Sequence, residues 1–282
     1  MPVVNPGIRR FLGSAIQRLL NGAAFALPLT HTAIPERGDI TPSFTRATTE
    51  TGQKWDEAGY LDFTALAGEA VFKGARRERN FISTASQDFS NAAWTKLSTT
   101  VVVNQAIAPD GTLTADLVHP ASTGADRVVY QNGLVSLVIG KTALLVIRAK
   151  YAGIRWLWFG TLGGGTAPAQ LPFFDLQNGV AGQAGTYFDA VSMEDLGDGW
   201  YECAAIKKSL PAAPLFPIYG LGDDDGGTTV TANGTDGFYL WASQINDITG
   251  ETDQTTIRPY VSVGVESAPA YHGSMVDGVK CY

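Results

Sequence analysis

From Leu97 to about residue 263 the chain is a succession of strand-length runs broken by turn signals, with no helical period between them. The runs are TVVVNQAIA, TLTADLVH, DRVVYQNG, TALLVIRAK, IRWLWFGT, LPFFDLQNG, TYFDAVSMEDLGDG, WYECAAIKK, LFPIYGLG, TTVTANG, GFYLWASQI and TTIRPYVSV. They are rich in β-branched and aromatic residues, which suit a pleated, half-buried surface. Asp110-Gly111, Asn178-Gly179, Asp198-Gly199 and Asn233-Gly234 are pairs that accept the positive φ angles of tight hairpin turns. Many short strands without intervening helices predict an all-β domain, an antiparallel two-sheet sandwich of jelly-roll type over residues 81–263.

Composition agrees with that class. Of 282 residues 45% are hydrophobic, enough for a full core, while only 17% are charged and Gly (32) and Pro (14) are plentiful. The formal net charge of −7 argues against nucleic-acid binding, which needs clustered Lys and Arg to release counterions from phosphates. The one basic cluster, ARRER at 75–79, is expected to be a solvated junction. No apolar run is long enough to span a bilayer. GAAFALPL at 22–29 is short and follows a helical pattern, so it is not expected to be a targeting segment. The spacing of Cys203 and Cys281 asks for no bridge, and Cys203 is expected to pack as a small apolar group.

The first part of the chain differs. In GIRRFLGSAIQRLLNG the residues Ile8, Phe11, Leu12, Ala15, Ile16, Leu19 and Leu20 follow the i, i+3, i+4, i+7 rule, which predicts one amphipathic helix. An isolated helix of this length is marginal, so its apolar face needs a cover: the rest of the chain, a copy of itself, or a larger assembly. Docking onto protein is favoured over lying on a membrane, because the polar face is short and the chain is acidic. Residues 30–80 hold short β-like pieces between polar turns and are expected to form an extended arm, making 1–80 one region, 81–263 the sandwich, and 264–282 a tail. FISTASQDFSNAAW, at 81–94, has neither helix nor strand period and marks the entry to the sandwich, with Phe89 and Trp94 as its apolar pegs.

Two aromatic pairs are candidates for stacking on the CH face of a sugar: Trp156 with Trp158, and Tyr239 with Trp241, each pair alternating onto one face of a strand. Core packing is the alternative for each, and Trp156 with Trp158 is the pair favoured for exposure. Asp223, Asp224 and Asp225 lie in one loop that could offer oxygen to a structural Ca²⁺, although a solvated turn is the simpler expectation. Glu194, Asp195, Glu202 and Asp175 lie in or near strands, but sequence alone cannot bring two of them to a working separation. His31, His119 and His272 are isolated, and LGGGT lacks the Lys and helix of a phosphate loop, so no catalytic residue is assigned and the chain is expected not to be an enzyme.

QDFSNAAWTK, APDGTLTADLV, VVYQ, FFDLQNGVAG, DLGDGWYECA and GFYLWASQIND occur in that order over roughly residues 80–262. This layout resembles virion proteins of tailed phages, in tail fibres and head fibres, and TRATTETGQKWDEAGYLDFTALAGEAVFKGARRERNFI resembles the stretch that leads into their fibre domain. The chain departs from the pattern at Ile82, at Ser243 where glycine is frequent, and at Asn246-Asp247. The resemblance implies a virion location, a jelly-roll domain similar to carbohydrate-binding modules, and a homo-oligomer, with a trimer favoured. It further implies attachment through residues 1–80 to capsid, portal or tail subunits and binding of a host surface polysaccharide. A decoration or collar protein that binds no sugar is the alternative, and a polysaccharide depolymerase a third.

Overall fold

A computed structural model describes residues 78–131, 140–162, 167–210, 216–251 and 258–265, with strand pieces at 75–76, 270–271, 275–276 and 279–280. The expected helix carrying Ile8, Phe11, Leu12, Ile16, Leu19 and Leu20, and the arm up to residue 74, lie outside the described residues. The chain divides into two compact units, Met1–Arg76 with Ala270–Tyr282, and Arg77–Pro269. In the first, Ala75–Arg76 pairs antiparallel with Ala270–Tyr271, and Met275–Val276 with Val279–Lys280.

The second unit is all-β. Its main strands are β1 (Trp94–Leu97), β2 (Thr99–Ile107), β3 (Leu113–Pro120), β4 (Val128–Gln131), β5 (Ala143–Ala152), β6 (Trp156–Leu162), β7 (Phe173–Asp175), β8 (Val180–Ala181), β9 (Ala190–Gly197), β10 (Trp200–Lys207), β11 (Phe216–Gly222) and β12 (Gly237–Asp247). They form two antiparallel six-stranded sheets, the first in the order β8-β7-β6-β11-β4-β1 and the second β9-β10-β5-β12-β3-β2. Asp198 and Gly199 both have positive φ (53° and 76°), the geometry of the tight β9–β10 hairpin. Asn233-Gly234 also makes a turn, but the strand before it, Thr229–Val230, pairs with Gly124–Ala125 and not with β12.

The sheets meet over one apolar core. Val118, Leu145, Ile147, Cys203, Phe238 and Leu240 face it from the second sheet, and Trp94, Leu157, Phe159, Phe174 and Tyr219 from the first. Tyr219 crosses between them, sharing a 2.6 Å hydrogen bond with Ser243 Oγ. Burial raises the Tyr219 phenol well above its usual range. Ser243 reaches that position through a bulge in β12, where Ala242 takes a φ of 56° and the register shifts between Trp241 and Gln244. The departure at Asn246 also has a use: its amide donates to Glu78 Oε2 at 2.7 Å.

Three expectations are corrected. TTIRPYVSV does not form a strand over its described part, because Pro259 lacks an N–H for a ladder. The Gln244 side chain holds this segment, accepting from Val261 N at 2.8 Å and donating to Pro259 O. ARRER is not wholly solvated: Glu78 is buried and pairs with Arg258 at 3.4 Å. Trp156 and Trp158 form no open platform, being only 8% and 4% exposed under a second apolar layer with Val128, Leu171, Phe173 and Ile218. Gly220 permits this packing, since a Cβ there would lie 2.0 Å from the Trp158 ring.

Candidate functional site

Period-two alternation gives the second sheet a face turned away from the core, and strand register fixes which side chains share it. One row across that face runs Val102, Leu117, Tyr239, Lys150, Trp200. The next runs Trp241, Arg148, Glu202, Glu194. The β12 bulge, β5 and the β9–β10 hairpin thus bring together residues far apart in sequence.

The floor of this face is rigid. Trp200 is buried and donates its indole N–H to Ile107 O at 3.0 Å. Trp241 is 4% exposed and packs on Tyr260 at a centroid distance of 5.2 Å. The Arg148 guanidinium lies over both rings, at 5.9 Å and 5.6 Å. Arg148 also pairs with Glu202 at 2.7 Å and donates to Ala242 O and Arg258 O. Burial pushes the Glu202 carboxyl up; Arg148 opposes this, and Glu194 adds to it.

Beside these buried groups the face carries partly exposed, amphipathic side chains. Tyr239, Lys150 and Leu196 are half-buried, and Glu194 is exposed. Trp94, Trp158 and Trp200 all donate their indole N–H to backbone carbonyls. The buried Trp241 Nε1 and His119 Nδ1, by contrast, have no hydrogen-bond partner among the described residues. The Tyr239 ring has Leu117 on one side and Lys150 on the other, an apolar and a charged neighbour that suit a polyhydroxylated ligand, whose CH face stacks while its hydroxyls bond to a charged group.

Of the sequence-derived candidates, Tyr239 and Trp241 therefore share one face, Tyr239 half-buried and Trp241 buried beside it. Trp156 and Trp158 lie on the other sheet. Arg148 is the residue that sequence reasoning missed; its signal is a charge in mid-strand in TALLVIRAK, opposite in sign to Glu202 in WYECAAI.

The acidic loop serves another purpose. Asp223 Oδ2 accepts from the Thr231 amide and hydroxyl, and Asp225 Oδ1 accepts from Gln183 N. Among the described residues no group of three or more His, Cys, Asp or Glu is arranged to hold a metal ion.

No protein-family model matches the sequence, and no curated protein matches it. Solved structures that are similar include the following two. The enzymatically active domain of bacteriophage CBA120 tailspike protein 4 is 16% identical with a TM-score of 0.37, over 60% of this chain. The chain spans only 21% of that protein's length. The CBM22-1 xylan-binding domain from Paenibacillus barcinonensis Xyn10C is 12% identical with a TM-score of 0.35, over 63% of this chain and 97% of that domain. At these TM-scores neither likeness assigns this chain a ligand or an activity. The expectation that the chain is not an enzyme is nevertheless corrected, since one of the similar structures is itself an enzymatically active domain. Of the carboxylates named from sequence, strand register sets Glu194 opposite Glu202, and Glu202 is buried and paired with Arg148. Among the described residues no helix is long and apolar enough to cross a membrane.

Proposed function

We propose that the sandwich is a carbohydrate-binding domain of a phage-type virion protein, gripping a host surface polysaccharide on the outer face of its second sheet. The observation that carries this reading is the partly exposed Tyr239 beside the partly exposed Lys150, in the row next to the buried Trp241, Arg148 and Glu202. The virion setting rests on the ordered motif layout of residues 80–262. In this reading residues 1–80 attach the protein to other virion subunits, with the helix bearing Ile8, Phe11, Leu12, Ile16, Leu19 and Leu20 as the contact. A glycan array of capsule and lipopolysaccharide fragments tests the binding part. Retained binding by Trp156→Ala and lost binding by Tyr239→Ala supports the assigned face. Absence of binding to every glycan, with assembly lost on deletion of the gene, favours a decoration or collar protein.

Cleavage of the bound polysaccharide is a second reading, favoured by one observation. Glu194 is exposed and stands directly across the β9–β10 hairpin from Glu202, two carboxylates side by side on one sheet face. Release of new reducing ends from capsule, lost in Glu194→Gln, distinguishes cleavage from binding alone.

A further inference from the structure

Two Asn-Gly pairs lie among the described residues, and the structure holds them in opposite ways. Asn178-Gly179 is tied down: Asn178 Nδ2 donates to Asp175 Oδ2 at 2.8 Å, and Gly179 N donates to Asp175 O at 2.9 Å. The Tyr201 ring also crowds Gly179, lying 2.5 Å from where a Cβ would stand. Asn233-Gly234 is exposed, and nothing lies within 4 Å of a Cβ built at Gly234. Neither Asn233 Nδ2 nor Gly234 N has a hydrogen-bond partner among the described residues. Asn21-Gly22 and Asn132-Gly133 lie outside the described residues.

In the exposed pair it is the side-chain carbonyl that is engaged. Asn233 Oδ1 accepts from Thr235 N at 3.0 Å, Asp236 N at 2.8 Å and Thr235 Oγ1 at 3.3 Å. Two backbone N–H groups aimed at one carbonyl oxygen polarise it and stand ready for negative charge that develops there. Glycine leaves its own amide nitrogen unshielded, and chain connectivity keeps that nitrogen beside the side-chain carbonyl, so attack closes a succinimide ring.

We propose that Asn233 is a site of spontaneous modification, at which the turn converts its own asparagine to aspartate and isoaspartate. The Gly234 nitrogen, having lost its proton to solvent, attacks Asn233 Cγ, and the displaced charge gathers on Oδ1 under the Thr235 and Asp236 amides. The Cγ–Nδ2 bond then breaks, and the nitrogen leaves as ammonia with a proton from water. Water opens the succinimide at either carbonyl: one cleavage leaves an aspartate, the other routes the main chain through the side-chain carbon as isoaspartate. The sum is one water taken up and one ammonia released, with no oxidant or reductant. The product adds a negative charge, and for isoaspartate a longer main chain, shortly before Gly237 where β12 begins.

Peptide mapping by mass spectrometry of the full chain, aged in mildly alkaline buffer while folded and again in urea, tests this. In the folded chain Asn233 is expected to convert about tenfold or more faster than Asn178, giving both aspartate and isoaspartate. In urea the two rates should converge, because the contacts that separate them are lost. Asn233→Gln, which would have to close a larger ring, should stop conversion at the turn. Asn233 left intact in the folded chain overturns the proposal. Asn178 converting as fast overturns it too, and so does a rate ratio that survives urea, since local sequence and not the fold then makes the choice.

Discussion

The rings of Phe89 and Trp94 lie with centroids 4.7 Å apart, both buried, and fasten the irregular entry segment into the core between the sheets. Two backbone contacts reinforce them: Trp94 donates its indole N–H to Ala85 O at 2.9 Å, and Phe89 N–H donates to Asp116 Oδ2 at 2.9 Å. Phe89→Ala leaves a cavity that the surrounding aromatic cluster cannot fill. The expected loss is about 3–5 kcal/mol, the usual range for removing a buried phenyl ring, and urea unfolding measures it. A loss within error of zero means that the segment is not part of the core.

Arg148 and Glu202 form a buried ion pair, so removing one partner strands the other. Glu202→Gln is expected to destabilise the sandwich by about 3–5 kcal/mol, because Arg148 then keeps an uncompensated buried charge. Replacing both, as Arg148→Met with Glu202→Leu, should cost much less than the sum of the single changes. A double-mutant cycle checks the coupling; simple additivity contradicts the pairing.

Trp158 and Tyr239 should separate stability from binding. Trp158→Ala empties a buried site against Phe173 and Ile218 and is expected to lower stability by about 3–5 kcal/mol. Tyr239 is only partly buried, packing beside Trp200 and Trp241, so Tyr239→Ala should cost less stability than Trp158→Ala while reducing glycan affinity. Thermal melts beside binding isotherms give both readouts, and the reverse pattern places the site on the first sheet.

Asp175 sets an acid limit. Burial would raise its carboxyl, but hydrogen bonds from Arg155 and Asn178 outweigh burial and hold it below the usual carboxylate range. Its folded-state pKa is thus depressed, so its contribution is present above the unfolded value of about 4 and is lost as pH falls through the folded value. Asp175→Asn should flatten that part of the stability profile, seen as a smaller drop in urea midpoint on acidification. A profile parallel to that of the unmodified protein contradicts the assignment.

Much of the fold was legible because strand chemistry is local. Among the described residues eleven of the twelve runs contain strands, and the Asp198-Gly199 turn is visible in two letters of sequence. TTIRPYVSV misled because its β-branched residues outweighed a single Pro259, whose missing N–H decided the outcome. The site was legible only in part. Alternation shows that Trp156 and Trp158 share one side of a strand, but not that Leu171 and Phe173 cover that side. Nor can it reveal that the β9–β10 hairpin sets Glu194 opposite Glu202, or that β5 brings Arg148 between Trp241 and Glu202, since those are matters of register between strands.

The most direct test of the account is the affinity of the full chain for capsular polysaccharide or lipopolysaccharide from its host, measured for the unmodified protein and for Tyr239→Ala and Lys150→Ala. Saturable binding by the unmodified protein, weakened about tenfold or more in each variant by loss of a stacking ring or a hydroxyl-binding ammonium, is the expected result. Binding that is unchanged in both variants, or absent from a correctly folded unmodified protein, contradicts it.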